Sequence, residues 1–185
     1  FLVVAVVVHF LHSYQVRRNA GGYRALATEE DSVVRDAKRE PPERTKAAES
    51  AIQHYRRYLA LDPHNVKARA DYGKLLVYVG DLGRAYFVFE RVLREGPEDP
   101  EDEEQVRKLQ ELQDEVRRLQ VDLAISVQRP PDAIVHLNAL LARAGGKDSA
   151  LLERLGYCQA LSGNEKDALK SLDEAIKYAP DRLSA

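Results

Sequence analysis

The chain has 185 residues, 44% of them apolar and 31% charged, with a formal net charge of -2. That balance fits a helical protein with solvated charged faces and gives no electrostatic ground for nucleic-acid binding. A single cysteine, Cys158, excludes an intramolecular disulfide and is compatible with a reducing compartment.

No methionine occurs, even at position 1, and Leu183-Ser184-Ala185 follow a proline where a further helix would begin. The sequence therefore reads as a piece of a longer chain, with 183–185 the start of a truncated repeat. Residues 1–11, FLVVAVVVHFL, are apolar apart from His9, and Arg17 and Arg18 come after them. A membrane-spanning helix needs about 20 apolar residues. Residues 1–18 are accordingly expected to be the back half of a transmembrane anchor, with a signal-peptide core and a buried globular helix as alternatives. The lack of a small-residue cleavage pattern weighs against the signal peptide. Valine-rich composition without amphipathic period weighs against the globular helix. The two arginines favour a cytoplasmic location for the repeats on their carboxyl side, unless positive charge upstream reverses the orientation. His9 and His12 share a helical face, but two histidines make an incomplete metal site, and no metal is assigned.

From Tyr14 to about Arg39 a weak helical pattern carries Tyr23, Leu26, Val33, Val34 and Ala37 as apolar positions, ended by Glu40-Pro41-Pro42-Glu43. A helix from about Glu43 to Leu61 then places Ala47, Ala51, Tyr55, Tyr58 and Leu59 on one stripe, before a turn at Asp62-Pro63-His64-Asn65. Ala68 to Val79 and Leu82 to Arg94 read as an antiparallel pair about Gly80-Asp81. Each is short enough to be marginal alone, so the two must stabilise one another by packing. Gly73 costs its helix roughly 1 kcal/mol relative to alanine. A close approach of the partner helix, opposite Ala85, would offset that cost.

Residues 95–105 form an acidic spacer with two prolines. Between residues 103 and 127, Leu109, Leu112, Val116, Leu119 and Leu123 alternate spacings of three and four. An over-long first helix of a repeat, stopped by Pro130-Pro131, is preferred there over a short coiled coil. Its partner is Asp132 to Ala144, with Ala133, Leu137, Leu140 and Leu141 facing inward, His136 exposed and Gly145-Gly146 as the C-terminal cap. The last pair, Ser149 to Leu161 and Lys166 to Tyr178, is joined by Ser162-Gly163-Asn164, and Cys158 is expected in its core.

Ala51, Tyr55, Leu59 and Pro63 return 34 residues later as Ala85, Phe89, Leu93 and Pro97. Self-similarity at such a period marks a stacked helical array, in which no unit buries its apolar face without a neighbour. Gly73, Gly80, Ala85, Phe89, Val92 and Pro97 also share their mutual spacing with Gly156, Gly163, Ala168, Leu172, Ala175 and Pro180. On these residues the chain resembles the tetratricopeptide repeat family: a small residue in the first helix, glycine at the turn, alanine and an aromatic in the second helix, proline at the end. The resemblance spans about residues 20–182 as four repeats. These are a divergent one at 20–65, a clear one at 66–99, an acidic spacer plus a degenerate one at 100–148, and a clear one at 149–182. In the degenerate repeat Val121 replaces the first-helix glycine and Gln120 takes an apolar position, while Arg69 and Leu152 stand where the family often has a large aromatic.

The resemblance implies an all-α fold, a right-handed superhelical α-solenoid of antiparallel helix pairs preceded by an N-terminal hydrophobic helix. An anchor followed by such repeats also resembles membrane-tethered repeat proteins of bacteria. In this family the first helices line a concave groove that receives an extended peptide or a partner's helix. The matching positions are Lys67, Lys74, Val77 and Tyr78, then Arg118, Asp122 and Ile125, then Glu153 and Tyr157. Such a mixed-charge groove would orient a peptide more than it would tighten binding. The repeat-packing positions implied are Gly73, Ala85, Phe89, Pro97, Gly156, Ala168, Leu172 and Pro180. Only Lys67 and Lys74 resemble the family's clamp for a terminal carboxylate.

No nucleophile motif, phosphate-binding glycine loop or metal-ligand spacing occurs. The expected function is a non-catalytic protein-interaction scaffold without cofactor, with a protein partner, no nucleic acid, and membrane contact through the N-terminal helix. A self-associating homo-oligomer, and the regulatory portion of an enzyme whose catalytic domain lies outside this sequence, are the alternatives.

Overall fold

The computed structural model describes the backbone over residues 2–179 and the side chains of residue 15 and residues 18–179. Among these residues the fold is all-α. Its eight helices are α1 (Leu2–Arg35), α2 (Pro41–Leu61), α3 (Val66–Tyr78), α4 (Leu82–Arg94), α5 (Glu103–Ser126), α6 (Pro130–Arg143), α7 (Ser149–Leu161) and α8 (Glu165–Tyr178). They form antiparallel pairs of consecutive helices, and the chain divides into two compact units, residues 1–95 and 96–185. In the first unit α2 packs on both α1 and α3, and α3 on α4; in the second α6 lies against α5 and α7, and α7 pairs with α8.

Helix starts arise from short polar side chains that take up backbone donors the helix leaves unpaired. Asn65 accepts from the Ala68 amide, Asp102 from those of Glu104 and Gln105, and Asp148 from that of Leu151. Both proline pairs open helices, whereas the sequence pattern suggests only that they close them. Pro41 begins α2 and Pro130 begins α6. Proline suits a first turn because its missing donor has no partner there and its φ is already helical. The preceding helix stops earlier than the apolar pattern implies, α1 ending at Arg35 instead of near Arg39.

The turns inside the pairs share one geometry. At the α3–α4 junction Gly80 has φ 80, and the amides of Gly80 and Asp81 donate to the Val77 and Leu76 carbonyls at 3.0 and 2.8 Å. At the α7–α8 junction Gly163 has φ 77, and the amides of Gly163 and Asn164 repeat the arrangement on Ala160 and Gln159. In the degenerate repeat the equivalent residue is Gln128, held at φ 57 with its amide on the Ile125 carbonyl at 3.0 Å. A side chain in this left-handed region costs roughly 1–2 kcal/mol, which glycine avoids. Gln128→Gly is therefore expected to raise the unfolding free energy by about 1 kcal/mol in urea denaturation, since glycine's greater unfolded-state entropy returns part of the gain. A destabilised variant would contradict the assigned turn.

Close approach of the paired helices is set by glycine. A Cβ on Gly73 would lie 2.8 Å from Cδ1 of Phe89, and one on Gly156 would lie 2.7 Å from Cγ of Leu172 and 3.1 Å from the Ala168 carbonyl oxygen. The residue against Gly73 is thus the Phe89 ring, whereas the sequence points to Ala85. Ala85 and Phe89 are fully buried and Ala168 is 4% exposed, while Leu172 is half-buried. Where Val121 takes the glycine position, Leu137 faces the same core, together with Ala124, Ala133, Leu140, Leu141 and Cys158. Burial raises the Cys158 thiol pKa. Pro97 is half-buried in the acidic segment, and Pro180 lies outside the described residues.

Three expectations need correction. First, among the described residues the apolar N-terminal stretch does not form a helix of its own, because α1 runs without a break from Leu2 to Arg35, 34 residues. No helix among the described residues is long and apolar enough to cross a membrane. The side chains of residues 1–11, His9 and His12 included, lie outside the described residues. Second, Leu26 is exposed, and α1 instead buries Ala20, Ala27, Asp31 and Val34, three of them small or acidic, against the alanine-rich face of α2 at Ala47, Ala48 and Ala51. Small side chains on both helices favour close contact over interdigitation of large ones. Third, His136 is buried, 8% exposed.

Candidate functional site

In the first unit a cleft of about 400 Å³ opens between α1, α3 and the middle of α2. Two carboxylates form its floor, Asp31 from α1 and Asp71 from α3, each only 8% exposed. Buried carboxylates persist only when paired, and each of these has cations at hand. Arg35 donates to Oδ2 of Asp31 from Nε at 3.0 Å and Nη2 at 2.6 Å, and its Nη2 lies 3.8 Å from Oδ1 of Asp71. Lys67 donates from Nζ to both oxygens of Asp71 at 2.7 Å, and Lys74 Nζ stands 3.8 Å from Asp71 Oδ1. The hydrogen bond to Asp31 raises the Arg35 pKa above its ordinary value, against the opposing effect of burial. Arg24 and Thr28 complete the α1 wall, and Tyr55 of α2 the back.

Tyr55 is pushed up to about 12 by burial, reinforced by the negative charges of Asp71 and Asp31. Tyr58 is also pushed up to about 12, by burial and then by the hydrogen bond its hydroxyl donates to Asp62 at 2.6 Å. An unfolded tyrosine ionises near pH 10. Between pH 10 and 12 the unfolded chain has therefore lost these protons while the folded one retains them. Their contribution to stability is fully present below pH 10 and is lost as pH rises toward 12, at up to about 1.4 kcal/mol per pH unit for each group. Denaturation midpoints measured across this range should fall steeply, and Tyr55→Phe with Tyr58→Phe should flatten the fall. An equal slope in the double variant would remove these two groups as its cause.

The second unit repeats the pattern with reversed polarity. Asp122 of α5 pairs with Nη2 of Arg154 of α7, again a charge pair joining two successive first helices. Asp71 and Arg154 occupy the same repeat position, two residues before Gly73 and Gly156. Of the groove positions inferred from sequence, Lys67 and Lys74 meet on Asp71, whereas Val77 is half-buried and Tyr78, exposed, lies under the Arg44 guanidinium at 5.5 Å. Arg118 is exposed, Asp122 is in the pair with Arg154, and Ile125 packs on the core of its unit. Glu153 is half-buried and Tyr157 is 54% exposed. Asp31, Arg35, Asp71 and Arg154 are site residues that the sequence does not single out, and Tyr55 is legible in it only as a packing position. The i,i+4 spacing of Asp31 and Arg35 signals their pairing, and the shared repeat position signals Asp71 and Arg154. Among the described residues no cluster of three or more potential metal ligands occurs.

Residues 45–110, from α2 into α5, match the family model described as tetratricopeptide repeat. Among solved structures the chain is similar to MamA from residue 41 to its end, from Desulfovibrio magneticus RS-1, at 17% identity over 88% of this chain and 76% of that one, with a TM-score of 0.59. It is similar to a second crystal structure of MamA at 12% identity, over 91% of this chain and 95% of that one, with a TM-score of 0.54. A third, MamA of MSR-1, is 16% identical over 95% of this chain and 99% of that one, with a TM-score of 0.53. At these identities the likeness establishes the helical-repeat fold and extends to no ligand. A comparison with curated protein sequences gives no match.

Proposed function

We propose that this chain is a non-catalytic protein-interaction scaffold whose first-helix face receives an extended peptide or a helix of a partner. The observation that carries this reading is the cleft over Asp31 and Asp71, where the Arg35 and Lys67 side chains remain 57% and 60% exposed while engaged below. Side chains held by buried partners lose less freedom on binding and so recognise at lower entropic cost. Complementary charge would set the orientation of the bound segment. Selection from a random peptide library on the intact chain tests it. Enriched peptides should lose at least tenfold in affinity against Lys67→Ala with Arg35→Gln; peptides that bind this variant equally well would overturn the assignment to the cleft.

A second reading, self-association, has its own observation. On α8, Leu169 and Ile176 are 64% and 46% exposed, at the repeat positions where Ile52 and Leu141 are nearly buried in α2 and α6. In those cases a following helix, α3 or α7, packs alongside. A second copy covering this stripe would be dissociated by Leu169→Glu with Ile176→Glu. Sedimentation equilibrium showing a concentration-independent monomer for the parent chain would dispose of this reading.

A further inference from the structure

The second-helix side of the first unit carries another pocket, of about 260 Å³, formed by α2, the turn at Pro63, α3 and α4. Its charge differs from that of the cleft. Three arginines line it, Arg56 from α2, Arg69 from α3 and Arg91 from α4, and no carboxylate is among the lining residues. Arg69 is fixed in the wall, its side chain 5% exposed, with Nη1 on Glu95 at 2.7 Å and Nη2 on the Pro63 carbonyl. Glu95 therefore offsets one of the three charges. Arg56 and Arg91 face solvent, and Arg56 makes a weak contact, Nη1 to the Gln53 amide oxygen at 3.4 Å. Arg56 and Arg91 both line the pocket with no carboxylate among the lining residues, so an anion held there meets two positive charges. The planar donor fork of arginine matches phosphate oxygens in pairs. The remaining wall is apolar, the Tyr72 ring with Leu59 and Val88.

We propose that this pocket binds a phosphomonoester carried on an aromatic body, with the dianion between Arg56 and Arg91 and the ring against Tyr72, Leu59 and Val88. The charge left after Arg69 is offset by Glu95 matches the phosphate dianion. The volume lies below the roughly 300–1,000 Å³ of sites for drug-sized ligands, which suits an aryl phosphate or a phosphotyrosine side chain and is small for a dinucleotide. The pocket is separate from the cleft over Asp31 and Asp71, so this inference stands or falls independently of the peptide-binding reading.

Titration of the isotope-labelled full chain by NMR tests it, with phenyl phosphate, inorganic phosphate and phenol as probes. Phenyl phosphate should give saturable shifts at Ala60, Tyr72 and Val88 and bind at least tenfold more tightly than inorganic phosphate or phenol. Arg56→Gln with Arg91→Gln should weaken it at least tenfold with the thermal midpoint unchanged, both side chains being exposed. Comparison with N-acetyl phosphotyrosine amide separates the sources of the same chemistry: tighter binding than phenyl phosphate assigns the ligand to a modified protein side chain, weaker binding to a free phosphoester, and either supports the site. Shifts that do not saturate, shifts spread over other basic surfaces, or binding retained by the double variant would overturn it.

Discussion

Phe89→Ala is expected to lower the unfolding free energy by about 3–5 kcal/mol, because the ring is fully buried and its removal leaves a cavity that the paired helices cannot collapse around. The ring also explains the glycine across from it, and the two positions should be coupled. Gly73→Ala in the parent chain forces a Cβ into the Phe89 ring, with Cδ1 2.8 Å away. The better helix propensity of alanine, roughly 1 kcal/mol over glycine, then fails to offset the overlap. In the Phe89→Ala background the space is open, and the same change should become neutral or stabilising. A double-mutant cycle in urea should therefore show an interaction energy of at least about 1 kcal/mol. Additive effects would mean that Gly73 and Phe89 do not meet.

Arg69→Ala should cost about 3 kcal/mol. Truncation removes the guanidinium that now donates to Glu95 and to the Pro63 carbonyl, and breaking a buried pair from one side costs about 3–5 kcal/mol. Glu95 retains 30% exposure and can recover some hydration, which places the effect at the lower end of that range. Arg69→Met, which keeps much of the volume, should recover part of the loss when combined with Glu95→Gln, since that pairing leaves no buried charge unmatched. The loss should also change little with added salt, because the pair is shielded from the solvent ions that screen surface charges. A change within about 0.5 kcal/mol for Arg69→Ala, the range of ordinary surface substitutions, would show that the buried pair contributes nothing to the fold.

The repeat register is legible in the sequence because it is written in local chemistry. Asn65, Asp102 and Asp148 cap helices through their own side chains, and Gly80 and Gly163 sit where the backbone enters the left-handed region. Each of these signals concerns residues a few positions apart and needs no neighbouring helix to act. The elements where sequence and structure part have different causes. The proline pairs at 41 and 130 read as stops along the chain, although a residue that cannot continue one helix is well suited to begin the next. Gln128 carries no turn signal because its unusual φ is imposed by the turn, against its own preference. Among the described residues of α1 the buried face departs from the apolar pattern because Leu26 is exposed and Tyr23 only half-buried; contact with the alanines of α2 selects Ala20, Ala27 and Val34.

The candidate sites are less legible than the fold. Lys67 and Lys74 can be named from their repeat positions, but Asp31, Arg35 and Asp71 acquire meaning only when α1 and α3 are brought side by side. The pocket with Arg56, Arg69 and Arg91 draws on three helices separated in sequence, and nothing in the local spacing of any one of them announces it. By itself, then, the sequence determined the all-α pairing of helices, the glycine turns at Gly80 and Gly163 and the small-residue positions Gly73 and Gly156, because caps, turns and i,i+3/i+4 faces act within a few residues of the chain. Tertiary structure alone decided which charged side chains are buried, which cations meet them and which remain exposed. Burial and pairing of charge depend on neighbours from different helices, and the energy of a charge is set by everything within its reach, whatever the distance along the chain.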